Sequence, residues 1–409
     1  MSKTLHRSVF TLSVVVTLVV LLGGFLPPSV RAGGLAVTDG AYTQMGVYEE
    51  VLRKIQNFYV VEPSLPSVTD GALHGLLESL DADSSYLTPA EYVSYKKELA
   101  ATSTPGDSEQ VGLQVSKRYG YATVVSVMPG SPADRQQIQE GDVIESINGK
   151  STHTMALDMI RMALEGRTGT SVSMDMIVPG KDDPVTKILQ RGPVATPALA
   201  EQQYDGGSVL YLKPIVLTKE RVTELEALLK GMAKAGNKKV LLDLRDVSVG
   251  DELQGVRLAN AFMQSGTLAS LSGQKYPTQT FTADASKFIT GAPLVILVNH
   301  GTAGAAEIVA ASVLAAKRGD VLGDRTFGAG SIEKTIDLAD GSALLLTVAK
   351  YNAPDGKPIE DNAVKPNISY SLSIDQFLAE EDETPADVSH PRVDDQLNKA
   401  LDVLKAKQS

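Results

Sequence analysis

Three hydroxyl side chains, Thr302, Ser312 and Ser331, and three candidate bases, His300, Lys317 and Lys334, fall in or beside NHGTAGAAEIVAASVLAAKRGDVLGDRTFGAGSIE, the stretch from Asn299 to Glu333. A hydroxyl attacks a carbonyl only when a neighbouring base takes its proton. Such a pairing would give acyl transfer, but no lysine is evidently placed to activate Ser331. The elements around these residues are plainer. A continuous apolar run, 293–298, reads as a strand, and the small-residue turn 301–306 opens a helix with apolar positions at Ile308, Val309, Val313 and Ala316. A strand, turn and helix in that order present backbone N–H groups at a helix N-terminus, where an anion or a developing oxyanion is held.

The same stretch resembles the active-site region of carboxyl-terminal processing peptidases, or tail-specific proteases. Their pattern is roughly G-S-A-S-A-S-E-I, about two dozen residues, then T-F-G-K-G-x-x-Q. In that family the second of the three serines is the nucleophile and the lysine of F-G-K-G its general base. Glu307-Ile308 and Thr326-Phe327-Gly328 anchor the two blocks without a gap, so the nucleophile position falls on Gly304, the base on Ala329 and the accompanying glutamine on Glu333. A glycine has no hydroxyl to activate. The resemblance therefore implies a peptidase fold without its Ser–Lys dyad, with no catalytic residue expected and Glu333 as an exposed carboxylate. The family's oxyanion-hole donors carry over to the backbones of Gly250 and Ala305. Asp243-Leu244-Arg245 matches D-L-R-x-N-P-G-G, but the loop continues Asp246-Val247-Ser248-Val249-Gly250 and loses the proline and one glycine.

Composition narrows the chemistry. The chain has 409 residues, 43% of them hydrophobic, enough for two or three domains. A net charge of −11 argues against nucleic acid as a partner, since phosphate binding needs clustered Lys and Arg. The absence of cysteine excludes disulfides and thiol catalysis, and five scattered histidines give no metal-ligand spacing. No metal and no cofactor are expected.

Residues 1–33 read as an export segment. Lys3 and Arg7 precede an apolar run at 9–26, and Val30-Arg31-Ala32 offers a small-x-small cleavage site. The run is also long enough to span a bilayer, so the segment is either a cleaved signal peptide or an uncleaved inner-membrane anchor. Both place the chain outside the cytoplasm, in a periplasmic or other extracytoplasmic compartment. Residues 40–100 form an N-terminal helical region, with Val47, Val51, Ile55 and Phe58 on one packing face. Within it, Ser79 to Leu87 resembles the family's S-L-D-P-H-S-x-Y-L segment. Asp81, Asp83 and Ser84 there lack the glycine and distal glutamate of a calcium loop and read as a capped turn. Thr88-Pro89 opens a helix.

After a linker at 101–109, residues 110–193 alternate as short strands around a helix at 154–164 and resemble a PDZ domain. The matching signals are Pro129-Gly130-Ser131-Pro132-Ala133, Glu140-Gly141-Asp142-Val143-Ile144, Ile147-Asn148-Gly149 and Gly166-Arg167-Thr168-Gly169-Thr170. Such a domain adds an extended peptide to an open strand edge and holds its terminal carboxylate on backbone N–H groups. Val111, Gly112, Leu113, Gln114 and Val115 occupy that loop and strand, and Leu157 and Ile160 face them from the helix. Six of the ten methionines lie between Met128 and Met176, either an adaptable groove or ordinary core. Residues 194–208 read as a second boundary, and 200–375 as an α/β core with a largely parallel sheet, which the resemblance makes ClpP/crotonase-like. Residues 376–409 comprise an acidic segment and a C-terminal helix.

The expected architecture is thus α/β overall, an α+β multidomain chain of helical segment, PDZ domain and peptidase-like core. The expected role is a catalytically inactive, PDZ-mediated binder or adaptor of the C-terminal tails of exported proteins, with an active peptidase as a second candidate partner. The alternative is an active serine-type peptidase with a relocated nucleophile.

Overall fold

The computed structural model describes residues 39–102, 110–178, 183–370 and 394–407. The export segment, most of the 101–109 linker and the acidic stretch lie outside the described residues. The chain divides into two compact units between Thr69 and Asp70. The first holds helix α1, Asp39–Phe58, and the start of α2, Leu65–Glu78. Val47, Val51 and Phe58, expected to pack, are 52%, 49% and 76% exposed, so that face of α1 is uncovered.

In the second unit, strand β1, Ser85–Leu87, and helix α3, Pro89–Thr102, follow α2. Thr88 caps α3 reciprocally: Glu91 N–H donates to Thr88 Oγ1 at 3.3 Å and Thr88 N–H to Glu91 Oε2 at 2.8 Å. The PDZ domain comprises β2 (Leu113–Tyr119), β3 (Tyr121–Val127), α4 (Pro132–Arg135), β4 (Val143–Ile147), β5 (Lys150–Ser151), α5 (Leu157–Leu164), β6 (Ser171–Ile177) and β7 (Val185–Gln190). Its sheet runs β2-β3-β4-β6-β7, antiparallel throughout, with β2 at one edge. Gln110 bridges Gly192, so entry and exit of the domain lie side by side.

The core continues with β8 (Ala200–Tyr204), β9 (Val209–Lys213), β10 (Val216–Leu217), α6 (Lys219–Gly231), β11 (Lys239–Asp243), β12 (Val249–Gly250), α7 (Glu252–Phe262), β13 (Thr267–Ser272), β14 (Gln279–Thr282), β15 (Leu294–Val298), α8 (Ala305–Ala315), β16 (Asp320–Gly323), β17 (Ser331–Asp337), β18 (Ala343–Asn352), α9 (Ile359–Asn362), β19 (Ile368–Ser369) and α10 (Asp395–Ala406). One sheet, ordered β19-β16-β15-β11-β9-β8, is parallel except for β8. Every residue of β11 and β15 is buried, as a parallel sheet covered on both faces requires. Leu242, Ile296 and Val298 meet α8 and its neighbours on one face, and Leu241, Val295 and Leu297 meet Ala400 and Leu404 of α10 on the other. A second, antiparallel sheet joins β1, β18, β13 and β14, with β17 on β18. Helix α8 is covered on two sides: its Val309 and Val313 pack on the parallel-sheet core while Ile308 packs with Leu271, Ala349 and Tyr351 of the second sheet.

The mixed α/β architecture with its PDZ domain is as expected, but three boundaries move. Residues 40–100 are not wholly helical, because β1 pairs with β18, Ser85 opposite Leu345. The polar stretch 194–208 contains β8, whose exposed faces hid its strand character. The C-terminal helix is part of the core: Lys239 Nζ donates to the Leu404 carbonyl at 2.7 Å, and Arg245 bridges buried Asp243 and Asp394 at the N-cap of α10, both at 2.6 Å.

Candidate functional site

Gly304 stands at the N-cap of α8 with φ 58° and ψ −117°. Side chains avoid this backbone region, which is the kind of strain that exposes a residue on a sharp strand-to-helix turn. A Cβ built there meets only Glu252 Oε1, at 3.7 Å, so the space in front of Gly304 is open. The turn is held from beneath. Thr302, fully buried, donates to the Leu244 carbonyl at 2.8 Å and accepts from Asn299 N–H at 3.0 Å, and Ala303 N–H donates to the Val247 carbonyl at 3.0 Å.

Glu307, on the first turn of α8, ties Gly304 and Ala329 together. Its buried carboxylate accepts from Gly304 N–H at 3.0 Å, Gly328 N–H at 2.7 Å, Ala329 N–H at 2.7 Å and the Thr326 hydroxyl. Burial raises its pKa to about 7, with these donors opposing the rise. Gly304 and Ala329 share one oxygen, Oε2, so the two backbones are neighbours, as the aligned blocks required. The two residues carried over as oxyanion-hole donors lie close together. Gly250 closes β12 against Leu217 of β10, and a Cβ on it would lie 3.2 Å from that of Ala305, whose N–H belongs to the first turn of α8.

These residues adjoin a cleft of about 1590 Å³ between the PDZ domain and the core. Ala329, Ser331, Glu333, Glu252 and His300 line it from the core, and Gln114, Val115, Lys117 and Arg161 from the PDZ domain. The end of α2 and the segment after it join the two: Glu78 pairs with Lys117, and Asp83 pairs with Arg161 at 3.3 Å and accepts from Ser331 Oγ at 3.1 Å. Asp81 accepts from Ser84 N–H at 2.7 Å and Thr347 Oγ1 at 3.1 Å, the capped turn expected of it. Two direct contacts complete the seam, Ser126 with Ser248, and Asn299 Nδ2 with Glu140 Oε2 at 3.3 Å.

Glu333 corrects an expectation. It is not an exposed carboxylate but a half-buried one, its pKa pushed up to about 8 by burial and then by Asp158 and Asp83, against the pull of Arg161. A carboxyl that holds its proton more tightly when folded favours folding at low pH, and that contribution is lost as pH rises from its ordinary value, about 4.5, to about 8. The melting temperature of wild type is therefore expected to fall across this window, and more gently in Glu333→Gln. Parallel slopes in a pH series of thermal melts would contradict the assignment.

The other candidates separate cleanly. Thr302 and Ser312 are buried and bonded to backbone carbonyls, Ser312 to those of Leu268 at 2.5 Å and Ile308 at 2.6 Å, and so are structural. Ser331 is the hydroxyl that reaches the cleft. Lys317 and Lys334 do not line it, whereas His300 does. In the PDZ domain, Val111, Leu113, Val115, Leu157 and Ile160 are at most 7% exposed and form that domain's own core, because a domain this small needs them there. Gly112, at φ +84°, serves a tight turn against Ser131. Of the loop and strand, Gln114 and the edge of β2 remain for a ligand. Met174 and Met176 are core, as ordinary filler would be. Sequence reasoning missed Glu252, Arg161 and Lys350. The last faces Ser331 across β17 and β18, and is held by Glu360 at 3.2 Å and Asp81 at 4.0 Å. Only strand register could have revealed that pairing.

Comparison with known proteins agrees with this geometry. The sequence matches peptidase family S41 over residues 209–370 and a PDZ domain over 123–177. It is 28% identical over 355 residues to the carboxy-terminal-processing protease of Bartonella bacilliformis, covering 85% of this chain and 80% of that one. It is 29% identical over 339 residues to the carboxyl-terminal-processing protease of Synechocystis sp., covering 81% and 76%. Among solved structures, the photosystem II D1 C-terminal processing protease superposes with a TM-score of 0.63 at 25% identity, over 82% of this chain and 94% of that one. The chain thus joins a PDZ domain to a peptidase family S41 domain and is a homologue of the carboxy-terminal processing proteases.

Proposed function

We propose that this chain binds the C-terminal tails of exported proteins through its PDZ domain and the adjoining cleft, and does not cleave them at the family's site. One observation carries the reading. A sharp N-cap turn at Gly304, the neighbouring Gly250 and Ala305 backbones and the Glu307 clamp support a site of the family's kind, yet positions 304 and 329 hold Gly and Ala. Covalent catalysis needs an atom that attacks and a group that takes its proton, and neither side chain supplies one. The N-terminal run flanked by Lys3 and Arg7 supports placing the protein outside the cytoplasm. Calorimetry with free-acid and C-terminally amidated peptides ending in apolar residues tests the binding. The free acids should bind more tightly. Equal affinities would remove carboxylate capture from the proposal.

A second reading has one observation in its favour. Ser331 Oγ donates to Asp83 Oδ2 in the cleft at 3.1 Å, an arrangement in which a carboxylate could accept the proton of an attacking hydroxyl. Cleavage by wild type that disappears in Ser331→Ala would establish this relocated nucleophile in place of the silent site.

A further inference from the structure

Gly304 N–H and Ala329 N–H meet on Glu307 Oε2, at 3.0 and 2.7 Å, so the two backbones lie side by side, with open space in front of Gly304 and Ala329 on the cleft wall. In a serine–lysine site these positions would carry a hydroxymethyl group and a four-carbon amine. Here they carry a hydrogen and a methyl, and Ala329 opens into the cleft. What bounds the gap is a carboxylate. Glu252 Oε1 is the one atom across from Gly304, 3.7 Å from a Cβ built there, and Glu252 also lines the cleft from the first position of α7. Its carboxyl lacks a resident cation among the described residues. The five Lys and Arg side chains lining the cleft are bonded elsewhere, Arg161 to Asp83 and Asp158, Lys213 to Asp246, and the others to further groups.

We propose that this gap is a subsite for a lysine side chain of the bound polypeptide, with the ligand's ammonium accepted by Glu252. The inference rests on the reading of the cleft as a polypeptide-binding site and adds a chemical class to it. A lysine fits for two reasons. Its linear stem matches a channel left by the loss of a linear side chain, and its compact ammonium is met by the single carboxylate oxygen, Oε1, that faces the gap, whereas arginine's planar fork is best met by both oxygens of a carboxylate presented side by side. Burial also disfavours the ionised form of Glu252, which a bound cation would relieve.

The test uses the full chain and unstructured peptides that share one apolar free-acid C-terminus. A single lysine is walked through the sequence in one series, and norleucine, of similar length and without charge, takes its place in the other. At one position lysine should bind about tenfold more tightly than norleucine, the size of a hydrogen bond to a charged group. The lysine-over-norleucine advantage, read as a ratio within each variant, should vanish in Glu252→Gln whatever the absolute affinities, and also in Ala329→Lys, where the protein's own side chain fills the gap. Equal binding of the two series, or a lysine advantage that survives Glu252→Gln, would overturn the subsite while leaving tail binding intact. Failure of every peptide to bind would overturn the tail-binding reading and the subsite together.

Discussion

An unstructured polypeptide with an apolar C-terminus, incubated with the wild-type chain, should be recovered at its full mass. In an unrelated serine protease, loss of the catalytic residues costs on the order of a millionfold in turnover, and what remains comes from binding and the oxyanion hole. The same residue of activity would be invisible in an ordinary assay of this chain. Neither Gly304→Ser nor Ala329→Lys alone should restore cleavage, since each supplies half of a unit whose members act together. The double variant is the informative one. The open space in front of Gly304 accepts a side chain, although a serine there must adopt φ near 58° at a cost of about 1–3 kcal/mol. Shared bonding to Glu307 already sets the two backbones side by side. Against recovery stand Glu252, a carboxylate facing the new serine, and Glu333 in place of the family's glutamine. Intact-mass analysis after incubation distinguishes the outcomes. Cleavage by the double variant and not by wild type would show that two side chains are what the scaffold lacks, whereas cleavage by wild type would refute the silent-site proposal.

Glu307→Ala should be the most damaging single substitution near the site. It would leave three backbone N–H groups and the Thr326 hydroxyl without their acceptor in a buried space, and each such orphan costs about 1–3 kcal/mol. These costs overlap, and a total of roughly 4 kcal/mol or more is expected, a large fraction of the stability of an ordinary domain. Glu307→Gln should cost less because it keeps one acceptor oxygen, but its amide group would face donors. Urea unfolding midpoints of the three proteins give the comparison. An alanine variant within about 1 kcal/mol of wild type would mean that the clamp contributes little.

Much of this was legible in the sequence because it depends on local signals. Apolar runs such as 293–298 become buried strands wherever they fall, and small residues before an apolar helix mark the turn that carries Gly304. Gly304 and Ala329 could be set against the catalytic positions of the resembled pattern because two flanking blocks kept their spacing. What escaped depends on long-range pairing. Ser85, Tyr86 and Leu87 look like part of a turn until Leu345, Leu344 and Ala343 are brought beside them. Glu252 reads as an ordinary first-turn helix acid, and only the built geometry of Gly304 puts it across the gap. Glu333 was misjudged because the charges acting on its carboxyl include Asp158 and Arg161, some 170 residues away in sequence, a separation that no periodicity reports.

The pairing of β1 with β18 bears on how the molecule is made. The PDZ domain, closed at its base by Gln110 and Gly192, interrupts the core between its first strand and the others. During synthesis, the PDZ domain can close as soon as residue 192 has emerged, whereas Ser85–Leu87 must wait for Ala343–Leu345. A contact of such high sequence separation bears a large loop-closure cost before it is rewarded, and forms late. Maturation should accordingly run from the inserted module outward, with the cleft assembled last, when the final strands fix the 78–85 segment between the two halves.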